Sequence, residues 1–292
     1  MLLATRLHHF QRNPFGTHVR YSTSSCNGTV LVDIIGQVMT IGINRPEKRN
    51  CVDTLTAQRL VRVITQFEAD SSVKAGVLYG TGGNFCSGLD LNEVSNFMED
   101  QEFNFQQGQG PMGPTRKMIK KPLVAAVSGY AVAGGFELAL MCDLRVVEET
   151  AVMGVFSRRF GIPLIDGGTV RLPALIGLSR ALDLILTGRS IKAKEAFEWG
   201  LANRLVACGT ALGQALNLAT SLVKFPQACL LADRSSAYYS KFDCISWEDA
   251  LNFERRSSNQ LVLKESIKGA KKFVSGVGRH GKSISITEED DF

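Results

Sequence analysis

Two glycine-rich segments hold residue types whose spacing could do chemistry together. One reads Gly82-Gly83-Asn84-Phe85-Cys86-Ser87-Gly88-Leu89-Asp90, the other Gly129-Tyr130-Ala131-Val132-Ala133-Gly134-Gly135-Phe136-Glu137. Each follows a short apolar run and precedes a helix-compatible stretch. Glycine in such a turn lets backbone N–H groups point outward with no Cβ in the way. Two such turns side by side could aim two amides at one oxygen, a layout that stabilises a carbonyl gaining negative charge. Glu137 follows Gly134 within the first turn of the expected helix. A carboxylate beside such a hole is the minimum needed to move a proton next to a carbonyl. The alternative is a pair of tight strand-to-helix packing turns, with a first-turn glutamate favoured by the helix dipole.

The elements that must hold these segments alternate between two periods. Residues 30–34 and 38–43 are β-branched runs separated by Gly36-Gln37, which predicts a hairpin. Asp53 can cap a helix whose apolar face is Leu55, Leu60, Ile64 and Phe67. Residues 75–79, 123–127 and 144–147 read as short buried strands. Strands alternating with helices predict an α/β fold with parallel pairing. Residues 95–115 are polar with Gly and Pro towards the end, a long loop or weak helix of the kind that often covers a site. Beyond Gly168 the pattern is mostly helical, and residues 246–274 read as a long amphipathic helix or helix pair. The expected division is a leader over 1–25, a core over 26–205 and a helical region over 206–292.

Composition removes whole classes of function. The net charge is +5, and Arg6, Arg12 and Arg20 supply three of those charges in a stretch with no acid before Asp33. The weak remainder does not support nucleic-acid binding, which calls for a concentrated basic face. The four histidines are His8, His9, His18 and His280, so the folded body has one, near its end; a His-based metal cluster cannot be built on one imidazole, and no metal site is expected. Seven irregularly spaced cysteines with no CxxC read as free thiols in a reducing compartment. No apolar run reaches the roughly 20 residues of a membrane helix. The Arg- and Ser-bearing, acid-free residues 1–25 predict a mitochondrial transit peptide and a matrix location, with a disordered tail as the alternative. Gly276–Ser283 matches a phosphate-loop pattern, but a Lys-rich helical stretch precedes it and only nine residues follow, so no nucleotide fold is expected there.

An ordered set of short pieces makes a sharper statement. Asn44-Arg45-Pro46-Glu47-Lys48-Arg49-Asn50, Phe85–Asp90, Lys121–Gly129 and Ala133–Glu137 running into Cys142-Asp143 come first. Gly167–Leu172, Leu186–Arg189 and Glu195–Leu201 follow in sequence. The set resembles the crotonase, or enoyl-CoA hydratase/isomerase, superfamily over roughly residues 29 to 280. The resemblance implies an α/β fold, a spiral of ββα turns with a helical C-terminal region that builds homotrimers or homohexamers. It implies an acyl-CoA thioester substrate, with coenzyme A as part of the substrate and no separate cofactor. The thioester oxygen is expected between the N–H groups of Leu89 and Gly134. CoA and the acyl group are expected along Arg45, Lys48, Asn50, Phe85, Ser87, Gly88, Asp90 and Gly135.

One position departs from the pattern. Hydratases of this superfamily carry a glutamate at the Glu137 position and a second about twenty residues on, and the second position aligns with Ser157. Serine has no carboxylate chemistry near neutral pH. The nearest acid is Asp166, which either faces the site or hydrogen-bonds the Gly167-Gly168 turn. Arg158 and Arg159 either pair with an acidic acyl group or lie on the surface. The expected activity is hydration or double-bond isomerisation of an enoyl-CoA through an oxyanion-stabilised enolate, in fatty-acid or branched acyl-CoA breakdown. With one assured carboxylate, isomerisation is mechanistically the easier reaction. The alternative is a non-catalytic crotonase-fold scaffold or RNA-binding protein.

Overall fold

The computed structural model describes residues 28–96 and 106–278. β1 (Val30–Ile35) and β2 (Val38–Ile43) form the expected antiparallel hairpin around Gly36-Gln37. α1 (Thr54–Ala69) starts at Asp53, whose Oδ1 accepts from Thr56 N at 2.8 Å. Its buried face includes Leu60, Val63, Ile64 and Phe67, while Leu55 is 52% exposed. Five residues at about 100° each carry Leu55 far around the helix from Leu60.

β3 (Ala75–Gly80) leads towards the one-turn helix α2 (Leu91–Val94), then β4 (Leu123–Val127), β5 (Tyr130–Val132) and α3 (Gly134–Met141). β6 (Leu144–Glu148), β7 (Val152–Gly154), α4 (Gly168–Ile176) and α5 (Leu178–Thr187) repeat that progression. β8 (Ser190–Lys192), α6 (Ala193–Glu198) and β9 (Arg204–Val206) complete the strands among the described residues. The larger sheet runs β1-β2-β3-β4-β6-β9, parallel except for the opening hairpin. A smaller sheet runs β5-β7-β8.

The larger sheet is apolar on both faces, as a covered parallel sheet must be. On one face Ile41, Ile43, Leu78, Leu123 and Ala125 pack with Leu60, Ile64 and Phe67 of α1. On the other, Val38, Val77, Val124, Ala126 and Val146 meet Ala211, Ala215 and Ala219 of α7 (Ala211–Leu222). These alanines recur every four residues, so one flat helix face lies close to the strands. α8 (Gln227–Phe242), α9 (Trp247–Leu261) and α10 (Ile267–Val274) follow, the last two joined by a π-helical segment, Val262–Ser266. Asp143 ties this region to the sheet. It accepts from Leu123 N at 2.8 Å, Arg234 Nε at 2.8 Å and the Tyr238 hydroxyl at 2.7 Å. Among the described residues no single helix is long and apolar enough to cross a membrane.

Candidate active site

Backbone hydrogen bonds bring the two glycine-rich segments together. Phe85 N donates to Ser128 O, Cys86 N to Tyr130 O and Val132 N to Cys86 O, at 2.8, 2.9 and 3.0 Å. This ladder sets Gly88-Leu89 against Ala133-Gly134. A Cβ on Gly88 would stand 2.9 Å from Ala133 Cβ and 3.2 Å from Gly134 N, and Gly88 has φ +100°. Glycine is therefore required there for both shape and approach. Ala133 holds φ +54° and ψ −129° immediately before α3, a costly conformation for a residue with a Cβ. Among the described residues, neither Leu89 N–H nor Gly134 N–H donates to a protein acceptor. Both amides are open to an incoming oxygen.

Leu89, Gly134 and Glu137 line one cavity of about 150 Å³, together with Ser87, Ser157 and Asp166. Its remaining walls are largely apolar, including Phe156 and Ile162. Glu137 is buried in α3, every residue of which is buried. Its Oε1 accepts from Gly168 N at 2.7 Å and from Asp166 N at 3.0 Å. Gly168 opens α4, so the carboxylate sits at that helix's N-terminus. A Cβ at Gly168 would stand 2.8 Å from Glu137 Oε1, and glycine makes the room. Burial and the neighbouring Asp166 charge push Glu137 up to about 7, against the pull of the two amides and Arg171.

Asp166 is also buried and its pKa is raised by burial. Its Oδ1 accepts from Met112 N at 3.1 Å and from the Thr115 hydroxyl. The side chain thus anchors the Gly110–Arg116 segment at the cavity wall, while its backbone N–H serves Glu137. Arg171 spends its guanidinium on carbonyls, Thr115 O at 2.6 Å and Asp166 O at 3.0 Å. Ser157 is 6% exposed, and its hydroxyl has no hydrogen-bond partner among the described residues.

Several residues expected to meet CoA are occupied internally. Arg45 donates to Asp90 Oδ2 and Cys51 O, both at 2.8 Å, and lies 3.1 Å from Asp53. Lys48 Nζ reaches the same Asp90 oxygen at 3.0 Å, with its side chain 44% exposed. Burial raises Asp90, but hydrogen bonds from Lys48, Arg45 and Asn92 overcome it and hold the carboxyl far below the usual carboxylate range. Asn50 is fully buried and bridges Arg45 N, Thr81 O and Asn84 O. Phe85 lies in the core, and a Cβ on Gly135 would stand 2.1 Å from Cys86 O. Ser87 is half-buried at the cavity mouth, near Lys48 O.

Arg158 and Arg159 donate to Ile185 O and Gly188 O, and Arg159 stacks 3.7 Å over Phe156. Met112, Thr115, Gly168 and Arg171 belong to the site's support but carry no chemical signature in sequence. Gly168 and Arg171 fall in Gly167–Leu172, one of the pieces that carry the resemblance, and Met112 and Thr115 in the 95–115 segment expected to cover a site. Residues 1–25 and most of the Gly276–Ser283 pattern lie outside the described residues.

The enoyl-CoA hydratase/isomerase family model matches residues 33–276. A short-chain-enoyl-CoA hydratase of Clostridium acetobutylicum is 32% identical over 82% of this chain and 92% of its own length. Enoyl-CoA hydratase EchA19 of Mycobacterium tuberculosis is 35% identical over 82% of this chain and 90% of its own. The crystal structure of enoyl-CoA hydratase EchA1 from Mycobacterium marinum superposes with a TM-score of 0.79 at 31% identity, covering 85% of this chain and 96% of that one. The expected mitochondrial-matrix location is corrected by these comparisons. Relatives from Rhizobium meliloti, Mycobacterium tuberculosis, Clostridium acetobutylicum and Bacillus subtilis belong to bacteria, which have no mitochondria. The strand-and-helix order, the paired turns and the matches over most of the chain make it a member of the enoyl-CoA hydratase/isomerase family, the crotonase superfamily, and an enzyme of acyl-CoA hydration or isomerisation.

Proposed function

We propose that Glu137 is the acid–base group of this enzyme and moves protons at Cα of a CoA thioester. The thioester oxygen lies between the N–H groups of Leu89 and Gly134, which take up the charge of the enolate. The observation that carries this reading is Glu137 itself: a buried carboxyl near pKa 7, in one small cavity with two unengaged amides. A group titrating near neutral pH can both take and return a proton. Lys48, whose side chain is partly exposed, and Ser87, which lines the cavity, are the contacts to CoA in this reading. Arg45, Asn50, Phe85, Gly88, Asp90 and Gly135 build the wall behind them. Asp166 orients Glu137 through its backbone N–H and raises its pKa through its charge. The chemistry needs only the thioester, two amides and a carboxylate, so no cofactor beyond the CoA of the substrate is proposed.

We also propose assembly through the C-terminal helices. Trp247 is 80% exposed and Leu263 69%, apolar surface of the kind that marks an interface. A sedimentation mass of one chain at micromolar protein would overturn the assembly.

The catalytic reading is tested by deuterium exchange at Cα of butyryl-CoA in heavy water. The wild-type protein should exchange the proton. Glu137→Gln should slow the exchange by about 10²–10⁴-fold with binding retained. Full exchange by that variant would remove Glu137 from the mechanism.

A further inference from the structure

The cavity is lined by a hydroxyl that the proton transfer at Cα does not use and that meets no other group among the described residues. Ser157 Oγ is buried, without a partner among the described residues, in the 3-10 turn Phe156–Phe160. It shares the cavity with Glu137, Leu89 and Gly134. A buried hydroxyl left without a hydrogen bond is unfavourable, so sites that retain one in a cavity have something for it to hold. A serine hydroxyl can donate one bond and accept others, which suits another oxygen that itself carries a proton. Glu137 Oε1 is occupied by two amides, and Oε2 accepts from none of the described residues. An oxygen held by Ser157 in the same small cavity therefore has a free carboxylate oxygen as its proton acceptor.

We infer that Ser157 seats the oxygen that is added to or removed from Cβ of the thioester, making this a hydratase site built from one carboxylate and one hydroxyl. The inference rests on the proton-transfer role of Glu137. In the forward direction the seated water forms a bond from its oxygen to Cβ. The Cα–Cβ π pair moves towards Cα and onto the thioester oxygen, between the two amides. The water's proton passes to Glu137. The enolate pair then takes a proton from the same carboxyl to form the Cα–H bond. One hydrogen and one hydroxyl are added, and nothing is oxidised or reduced. In reverse, Ser157 holds the departing hydroxyl. The sequence pattern without a second glutamate favours isomerisation, and the cavity reverses that preference.

Three measurements on the full chain separate this inference from the reading beneath it. The first is oxygen-18 uptake from labelled water into crotonyl-CoA, the second deuterium exchange at Cα of butyryl-CoA, and the third thermal stability. The wild-type protein should give both label uptake and exchange. Ser157→Ala should lose about ten- to a hundredfold in oxygen uptake, from a lost hydrogen bond and a misplaced water. Its Cα exchange should persist, and its melting temperature should stay level or rise, because the orphaned hydroxyl is gone. Oxygen uptake equal to wild type in Ser157→Ala overturns the inference and leaves Glu137 in place. Wild-type exchange without oxygen uptake also overturns it. Loss of oxygen uptake and exchange in equal measure in Ser157→Ala overturns it too, since the hydroxyl would then serve the site's geometry. Absence of both activities in the wild-type protein removes the Glu137 reading and this one together.

Discussion

Two buried carboxylates in this molecule behave in opposite ways. Asp90 and Glu137 are 5% and 2% exposed, so burial raises both. Asp90 has two cations on one oxygen, Arg45 at 2.8 Å and Lys48 at 3.0 Å, and is held ionised. Glu137 has two backbone amides, a neighbouring carboxylate, and an arginine whose own bonds go to carbonyls. Its pKa rises to about 7. A structural acid and a chemical one differ here both in their partners and in how deeply the surrounding protein encloses them, Glu137 lying much the deeper of the two. The two amides favour the ionised form of Glu137 but do not outweigh burial and the neighbouring carboxylate, whereas the two cations on Asp90 outweigh its burial.

The contrast is broken or sharpened first by removing each charge. Asp90→Asn should cost about 3–5 kcal/mol of stability, because Arg45 and Lys48 lose a shared buried partner. Chemical denaturation reads this directly, and a loss under about 1 kcal/mol would mean that Asp53 and Cys51 O satisfy Arg45 without Asp90. Glu137→Gln should leave stability level or raised, while turnover falls as described above.

The next test uses pH. The folded pKa of Glu137 is about 7 against an ordinary value of 4.5, so between those values the folded state holds a proton the unfolded state has released. Its contribution is fully present below pH 4.5 and is lost as pH rises through 7, on the order of 3 kcal/mol. Asp90 runs the other way: its depressed pKa stabilises above the ordinary carboxylate range and that stability is lost as pH falls. Glu137→Gln should therefore flatten the decline in stability between pH 4.5 and 7, and Asp90→Asn should flatten the loss in acid. Catalysis needs the ionised form of Glu137 as base, so kcat/KM should rise with pH to an inflection near 7. An inflection at an ordinary carboxylate value would contradict the site's electrostatics. The working form of Glu137 is thus the less stable one, whereas the stable form of Asp90 is the only one its site requires.

How much of this was legible in sequence follows from range. The hairpin, the Asp53 cap and the strand before each glycine-rich turn depend on near neighbours, and their period or spacing exposes them. The pairing of the two turns was readable because glycines mark close approach and Glu137 follows within one helical turn. Arg45 and Asp90 are 45 residues apart, and residue type alone cannot tell a guanidinium that meets a ligand from one that meets a buried carboxylate. The family resemblance carried Arg45, Asn50 and Asp90 as binding residues, and the structure shows their polar atoms turned inward. Asp166 illustrates the same limit. Its partners Met112 and Thr115 lie 54 and 51 residues away, so neither of the two sequence readings describes its side chain fully. Ser157 was read by what it lacks, and its orphaned hydroxyl became visible only with the cavity around it.

The finest test concerns Asp166, where orientation and charge can be separated. Asparagine at 166 retains an oxygen for Met112 N–H and for the Thr115 hydroxyl, and it leaves the backbone N–H to Glu137 intact. The anchoring geometry should survive, so KM and stability should change little. The negative charge beside Glu137 is removed, and that charge is one of the two causes lifting the Glu137 pKa. The inflection in kcat/KM should therefore move to lower pH, while the plateau above it falls only a few-fold, because a less basic carboxylate is a slightly weaker proton acceptor. If Asp166 instead exchanged protons with the substrate, the plateau itself should fall by about 10²-fold or more. A pH profile of Asp166→Asn decides between them: a displaced inflection with a preserved plateau makes Asp166 a positioning residue, and an unmoved inflection with a collapsed plateau makes it a second acid.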